Sequence, residues 1–330
     1  MPLNFPHKHI SPAKLNLRLK ITGLESGGYH NLSMVNVTAN LSDEITAKSI
    51  LAGAPKLTEL SFGSTVNPAQ IPKLSQSLSD PEINLALRAA KLFEERFSLD
   101  AGIEFSLRKN IPAGGGLGGG SSNAASILKI LSAHHVERLA AKYSDEELFH
   151  ELCAIGLKLG ADVPYAIRGG ACIVKGVGQT IIPCSKTFQR IVDGTQVFIA
   201  LPDTPTGTKE AYQKFGSQNT WLKTETRADS WIEEVENMNT ETGVLKSLSG
   251  LCENDFEAII SDLNPEVASA IEQVRNLGIG TVNLTGSGSS FAILPFPALD
   301  FSHSEQIAIK NAFLSLKINY FDGRIQLYYE

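Results

Sequence analysis

Apolar positions recur along this chain with two different periods, and the places where the period changes mark its elements. Short apolar or alternating runs over Lys14–Ile21, Leu32–Leu41 and Ile103–Leu107 predict strands. Before the third of these, Leu85, Ala89, Leu92, Phe93 and Phe97 fall on one face of a helix predicted over Asn84–Phe97. Ala124, Ala125, Ile127, Leu128, Ile130 and Leu131 repeat at helical spacing. Ser144-Asp145-Glu146-Glu147 reads as a capping box, and the helix it opens runs to Leu159 and is closed by Gly160 at the C′ position. Ala171–Val174 and Thr180–Pro183 predict a hairpin. In the second half Gln196–Leu201, Thr281–Leu284 and Phe291–Leu294 read as strands, and Pro265 opens a helix that stops at Gly278.

Strands and helices mixed in this order predict an α+β protein, and 330 residues favour two domains over one. The expected division is 1–185 and 186–330. A chain 42% hydrophobic and 19% charged is ordinary for a globular enzyme. A net charge of −6 with scattered Lys and Arg argues against a nucleic-acid partner. Met1–Ile10 carries no apolar signal core, and no run approaches the ~20 apolar residues of a membrane span. A cytoplasmic protein with no membrane partner is expected, and no segment specifies an oligomeric state. Cys153, Cys172, Cys184 and Cys252 show no metal-like spacing and read as reduced core residues. His7 with His9 and His134 with His135 read as solvated or helix-surface pairs.

The run from Ile111 to Ser122 changes this picture. Gly114, Gly115, Gly116, Gly118, Gly119 and Gly120 fill six of seven positions, with only Leu117 between them, which predicts a loop. Ser121, Ser122 and Asn123 then supply cap chemistry for the helix that follows. Backbone N–H groups free of Cβ atoms, placed at the positive end of a helix, make an anion site. On this reading a side chain on Gly116 or Gly119 would occupy the place of a phosphate. The Walker A pattern fails, because Ser121 stands where a Lys is required. A G-x-G-x-x-G match from Gly114 to Gly119 carries little weight inside a glycine run. The second glycine segment, Thr285-Gly286-Ser287-Gly288-Ser289-Ser290, reads as a hairpin loop or as a loop passing close to a phosphate.

Taken together, Ser11-Pro12-Ala13-Lys14-Leu15-Asn16-Leu17, the Pro112 to Ser122 run and the Gly286-Ser287-Gly288 loop resemble the three ordered motifs of the GHMP small-molecule kinases. With Gly27-Gly28-Tyr29-His30 and Leu159-Gly160-Ala161-Asp162-Val163-Pro164, the chain is most similar to the 4-diphosphocytidyl-2-C-methyl-D-erythritol kinase branch. Ala52–Pro81 and Phe215–Ser249 depart from that pattern and look like insertions. The resemblance implies a first domain like domain 2 of ribosomal protein S5, a ferredoxin-like second domain and an active site in the cleft between them. The activity implied is ATP-dependent phosphorylation of a cytidine diphosphate substrate on its 2-hydroxyl. Other branches, such as homoserine or mevalonate kinases, and a non-catalytic ligand-sensing member are the alternatives.

Phosphoryl transfer needs positioned phosphates, charge neutralisation and a group that takes or orients the hydroxyl proton. The resemblance makes Lys14 and Asp162 the catalytic pair. Lys14 lies on an apolar strand, where an ammonium needs a carboxylate or phosphate partner. Asp162, beside Val163-Pro164, reads on its own as a turn-capping residue. ATP would be held by Lys109, otherwise a solvated surface lysine, with Pro112, Gly114, Gly115, Gly116, Leu117, Gly118, Gly119, Gly120, Ser121 and Ser122. Ser121 or Ser122 offers a hydroxyl to Mg²⁺, and no carboxylate metal ligand is marked besides Asp162, which leaves the cation to ATP phosphates and water. The substrate side comprises Asn16, Tyr29, His30, Thr208, Tyr212, Gly286, Ser287 and Gly288, with the aromatics facing the cytosine or filling a domain interface.

Overall fold

The computed structural model describes residues 3–219, 228–236 and 238–328. Its first part comprises β1 (His7–Leu24), β2 (His30–Leu51), β3 (Lys56–Phe62), α1 (Ile71–Ser79), α2 (Leu85–Phe97), β4 (Gly102–Lys109), α3 (Gly119–His134), α4 (Val136–Ala140), α5 (Asp145–Leu159) and α6 (Val163–Arg168). There follow β5 (Cys172–Gly176), β6 (Thr180–Pro183), α7 (Lys186–Val192), β7 (Gln196–Leu201), α8 (Thr208–Gln218), α9 (Ser230–Glu236), α10 (Glu241–Leu251), β8 (Glu253–Asn254), α11 (Glu257–Leu263) and α12 (Pro265–Arg275). The chain finishes with β9 (Thr281–Leu284), β10 (Phe291–Leu294), α13 (His303–Leu316) and β11 (Asn319–Arg324). Contacts group these into two compact units interleaved along the chain. One takes the chain through Ala13, Leu41–Pro112 and Gly118–Arg168; the other takes Lys14–Asn40, Ala113–Leu117 and the chain from Gly169 onward.

In the first unit, β3 runs parallel to β4, and β4 runs antiparallel to the second half of β2, with Glu44 opposite Arg108 and Leu51 opposite Gly102. Ala52–Pro81, the stretch that departs from the family pattern, thus supplies an outer strand and α1. Helix α3 packs against α2, α5 and α6. Its Ala124, Ile127, Leu128 and Leu131, together with Phe93 and Phe105, are almost wholly removed from water, at about 1.5–3 kcal/mol for each large side chain. Asn84 caps α2 by accepting from the Ala86 N–H at 2.9 Å. The Ser144/Glu147 capping box on α5 is formed as the sequence predicts. Gly160 closes α5 as the sequence predicts, in extended backbone (φ 169°). The Val163 N–H then donates to the Gly160 carbonyl at 3.1 Å, closing the turn that carries Asp162. His135 differs from its predicted exposure, being buried with Nε2 against the Asp100 carbonyl at 2.7 Å.

In the second unit the first half of β2 pairs antiparallel with β5, and β5 with β6, forming the predicted hairpin. β1 pairs parallel with β8 through Arg18 and Glu253. A separate four-stranded antiparallel sheet has the order β11-β7-β10-β9. In chain order these strands and the helices between them run βαββαβ, and the first strand lies between the fourth and the third. That is the ferredoxin-like arrangement expected of the second domain. Strands β1 and β2 are longer than their apolar runs suggest, because polar residues alternate with buried ones in their outer parts.

Candidate active site

Three sequence motifs meet within the second unit. The Lys14 N–H donates to the Leu117 carbonyl at 2.9 Å, and the Ser290 N–H donates to the Gly115 carbonyl at 3.1 Å. The Asn16 N–H donates to Thr285 Oγ1 at 3.1 Å. Backbone therefore lies directly on backbone, and only glycine permits it. Gly116 (φ 81°) has no room for a Cβ beside the Thr285 carbonyl, and a Cβ on Gly288 would meet the backbone of Gly115 and Gly116. This corrects the sequence expectation for Gly116 and Gly119. A Cβ on Gly119 would meet Ile111 Cγ2 at 2.9 Å and Lys109 Nζ at 3.0 Å. At both positions the space a side chain would need is already filled by protein.

Behind the two loops lies a buried amide network. Lys14, 6% exposed, donates through Nζ to Asn16 Oδ1 at 2.8 Å. The same oxygen accepts the Gly286 N–H at 2.7 Å. Asn283 Nδ2 donates to the Asn16 carbonyl at 2.9 Å, and Asn254 Nδ2 holds the carbonyls of Leu284 and Gly286 at 2.9 and 2.8 Å. Sequence reasoning missed Asn254, Asn283 and Thr285. The available signal was an amide between Val282 and Leu284, inside a strand with no solvent face.

In the first unit α3 starts at Gly119, earlier than predicted, so Gly119 and Gly120 are helical and Ser121 and Ser122 lie within the first turn rather than capping it. The cap position is Gly118 (φ 69°), and no side chain closes the helix end. Helix geometry leaves the first-turn N–H groups without intrahelical acceptors, so an anion can take them. Lys109 is not a solvated surface residue: it is 4% exposed and ion-paired with Asp43. Asp43 Oδ1 also accepts the N–H groups of Asn110 and Ile111, both at 2.8 Å. This carboxylate, which sequence reasoning did not single out, fixes the chain where it leaves β4 for the glycine run. Asp162 is half-buried at the start of α6, where its carbonyl accepts the Ala166 N–H at 3.0 Å. Ser121 Oγ faces the neighbouring turn, 3.8 Å from the place of a Cβ on Gly160. Among the described residues no three His, Cys, Asp or Glu side chains cluster as a metal site.

The expected base-binding residues form an aromatic group in the second unit. The His30 ring packs on Tyr212 with centroids 5.0 Å apart and meets Phe215 edge-on at 6.5 Å. Tyr212 in turn meets Phe256 edge-on at 4.8 Å. His30 Nε2 is buried without a hydrogen-bond partner among the described residues, and burial lowers the pKa of this imidazole. Tyr29 is 70% exposed at the end of a turn closed by Glu25, and Thr208 is exposed at the first position of α8. The structure thus joins His30 with Tyr212 and leaves the Tyr29 ring open to solvent.

The family pattern described as GHMP kinases N terminal domain matches residues 84–170. A 4-diphosphocytidyl-2-C-methyl-D-erythritol kinase of Clostridium beijerinckii is 32% identical over 277 residues, 84% of this chain and 86% of that protein. This chain belongs to that kinase family, a branch of the GHMP kinases. A relative of the same description from a Sulfurihydrogenibium species is 30% identical over 90% of this chain and 94% of its own. A crystal structure of a 4-(cytidine 5′-diphospho)-2C-methyl-D-erythritol kinase superposes with TM-score 0.63 at 25% identity, covering 96% of this chain and 98% of the other. The fold is accordingly that of the GHMP kinases. Among the described residues no helix is long and apolar enough to cross a membrane.

Proposed function

We propose that this protein transfers the γ-phosphoryl group of ATP to the 2-hydroxyl of 4-diphosphocytidyl-2-C-methyl-D-erythritol, a cytoplasmic step of non-mevalonate isoprenoid precursor synthesis. One observation carries the reading: a single oxygen, Asn16 Oδ1, holds both the Lys14 ammonium and the Gly286 N–H. The candidate cation is thereby tied to the loop that carries the third family motif. In the reaction an acceptor O–P bond forms, the γ-phosphorus to β,γ-bridging-oxygen bond breaks, and ADP leaves. Lys14 stabilises the negative charge on the acceptor oxygen, and the Asp162 carboxylate takes the hydroxyl proton. A free Asp has a pKa of about 3.9 and is a weak base, so positioning contributes more than basicity.

The backbone of Gly114 to Gly120 and the first turn of α3 suit the nucleotide phosphates, with Lys109 and Pro112 at the start of that run. Mg²⁺ bound to those phosphates would neutralise charge, and the Ser121 or Ser122 hydroxyl is the protein group at the helix start that would face it. Ser287 and Gly288 would line the acceptor side with Asn16. His30 and Tyr212, with Tyr29 and Thr208 around them, suit a cytosine. The chain divides functionally near 185.

A base pocket is what separates this reading from a mevalonate or homoserine kinase, whose acceptors carry no nucleobase. Cytosine offers an amino donor and a ring-nitrogen acceptor on the edge where uracil offers a carbonyl and an N–H. Sites built to bond one such edge discriminate against the other by roughly 10⁴-fold. ADP release measured with the cytidine substrate, its uridine analogue, mevalonate and homoserine tests the proposal. Turnover confined to the cytidine compound is expected. Equal use of the uridine analogue removes the base pocket, and turnover of mevalonate or homoserine alone places the chain in a different branch.

A further inference from the structure

The Lys14 ammonium and the Gly286 N–H can only donate, so the Asn16 side chain must turn its oxygen to them and its NH₂ away. That NH₂ needs an acceptor in a fully buried place. Asn36 supplies it from the neighbouring strand β2, its Oδ1 lying 2.6 Å from Asn16 Nδ2. The other neighbour of Asn16 Nδ2 is the thioether of Met34 at 3.5 Å, a weak acceptor. Asn36 is 0% exposed, and with its oxygen committed, its own Nδ2 is left without a hydrogen-bond partner among the described residues. Val35 and Val37 on either side are also fully buried and apolar. A buried amide nitrogen without an acceptor is unfavourable for stability on its own account, and its effect on the Asn16 amide is the compensating feature.

We propose that Asn36 is a positioning residue for phosphoryl transfer. Its carbonyl oxygen fixes the orientation of the Asn16 carboxamide, and through it the places of the Lys14 ammonium and the Gly286 loop. Asn36 acts through Asn16 and not on the substrate. With an apolar side chain at position 36 the Asn16 amide can rotate, which would set NH₂ against an ammonium and a backbone N–H. The inference rests on the proposed role of Lys14.

The test compares Asn36→Leu and Asn36→Asp, each in the wild-type and Asn16→Ala backgrounds, by kcat, KM for both substrates and Tm. Leucine fills a similar volume without the acceptor, while aspartate keeps an oxygen where Asn16 Nδ2 needs one. Asn36→Leu should lower kcat by roughly 10–100-fold, the range for a group that orients another site residue, with both KM values and Tm near wild type. Asn36→Asp should retain kcat within about threefold, because the acceptor is kept. In the Asn16→Ala background neither change should lower kcat further, since residues acting as a unit are non-additive. Wild-type kcat for Asn36→Leu, or a loss that adds to that of Asn16→Ala, overturns the proposal. Should Asn36→Leu fail to fold, Asn36→Ala removes the acceptor without adding volume and is judged by the same two outcomes. Lys14→Met, assayed alongside, separates the two readings: if it keeps full turnover the proposed function fails, and if it alone is inactive only the role of Asn36 fails.

Discussion

The carbonyl oxygen of Thr285 occupies the space that a Cβ on Gly116 would need. Gly286 approaches the same backbone from the other loop, its absent Cβ lying 2.9 Å from Gly116 Cα. The two glycine-rich segments are therefore packed directly on each other, and on the proposed role of the first loop a change at Gly116 should alter nucleotide affinity and folding stability together.

Gly116→Ala should lower Tm and ATP affinity together. Its positive φ alone costs about 1–2 kcal/mol in an L residue, before the displaced Thr285 carbonyl is counted. Gly120→Ala is the control, because a Cβ there makes only an ordinary 3.6 Å contact with Leu85 Cδ1 inside a helix. Its stability should be kept or raised by up to about 1 kcal/mol. Thermal unfolding with and without ATP checks both variants, and a Gly116→Ala protein with unchanged Tm would sink the packing argument.

Asp43→Ala should be among the most damaging substitutions distant from the acceptor. It leaves the Lys109 ammonium buried without its partner and orphans the N–H groups of Asn110 and Ile111. Breaking a buried pair from one side costs about 3–5 kcal/mol. A urea midpoint lowered by much less would mean that water reaches Lys109.

Lys14→Met and Asp162→Asn should each fold and bind ATP while kcat falls by roughly two to four decades, the range for a lost acid–base or positioning group. Single-turnover phosphorylation is the measurement. More than about a tenth of wild-type turnover in either variant would remove that residue from the chemistry.

Burial lowers the pKa of His30 below the ordinary 6.5, and His134 shifts the same way through burial, with His135 and Arg138 adding to it. Both are then neutral in the folded protein at neutral pH. Between the lowered folded values and 6.5 the unfolded chain binds more protons, so stability is complete above that window and declines as pH falls through it. His30→Phe should remove part of this decline. An NMR titration with the His30 midpoint at or above 6.5 would contradict the buried, neutral ring.

The sequence by itself determined the apolar periods, the Ser144 capping box, the three glycine- and lysine-bearing motifs and the Leu159–Pro164 segment that carries Asp162, because these depend on local backbone chemistry and spacing. From them follow the α+β class, the kinase family and the candidates Lys14, Asn16 and Asp162. Only the tertiary structure decided what those residues touch. Asp43 lies 66 residues from Lys109 in the chain, and Asn16 lies 267 from Asn283 and 270 from Gly286; no periodicity carries information across such distances. The same limit explains the glycine run. Its composition marks a loop, but whether a missing Cβ makes room for phosphate or for the Thr285 carbonyl depends on a segment far along the chain. The orientation of the Asn16 amide was likewise illegible, since a carboxamide reads the same both ways until the donors and acceptors around it are known.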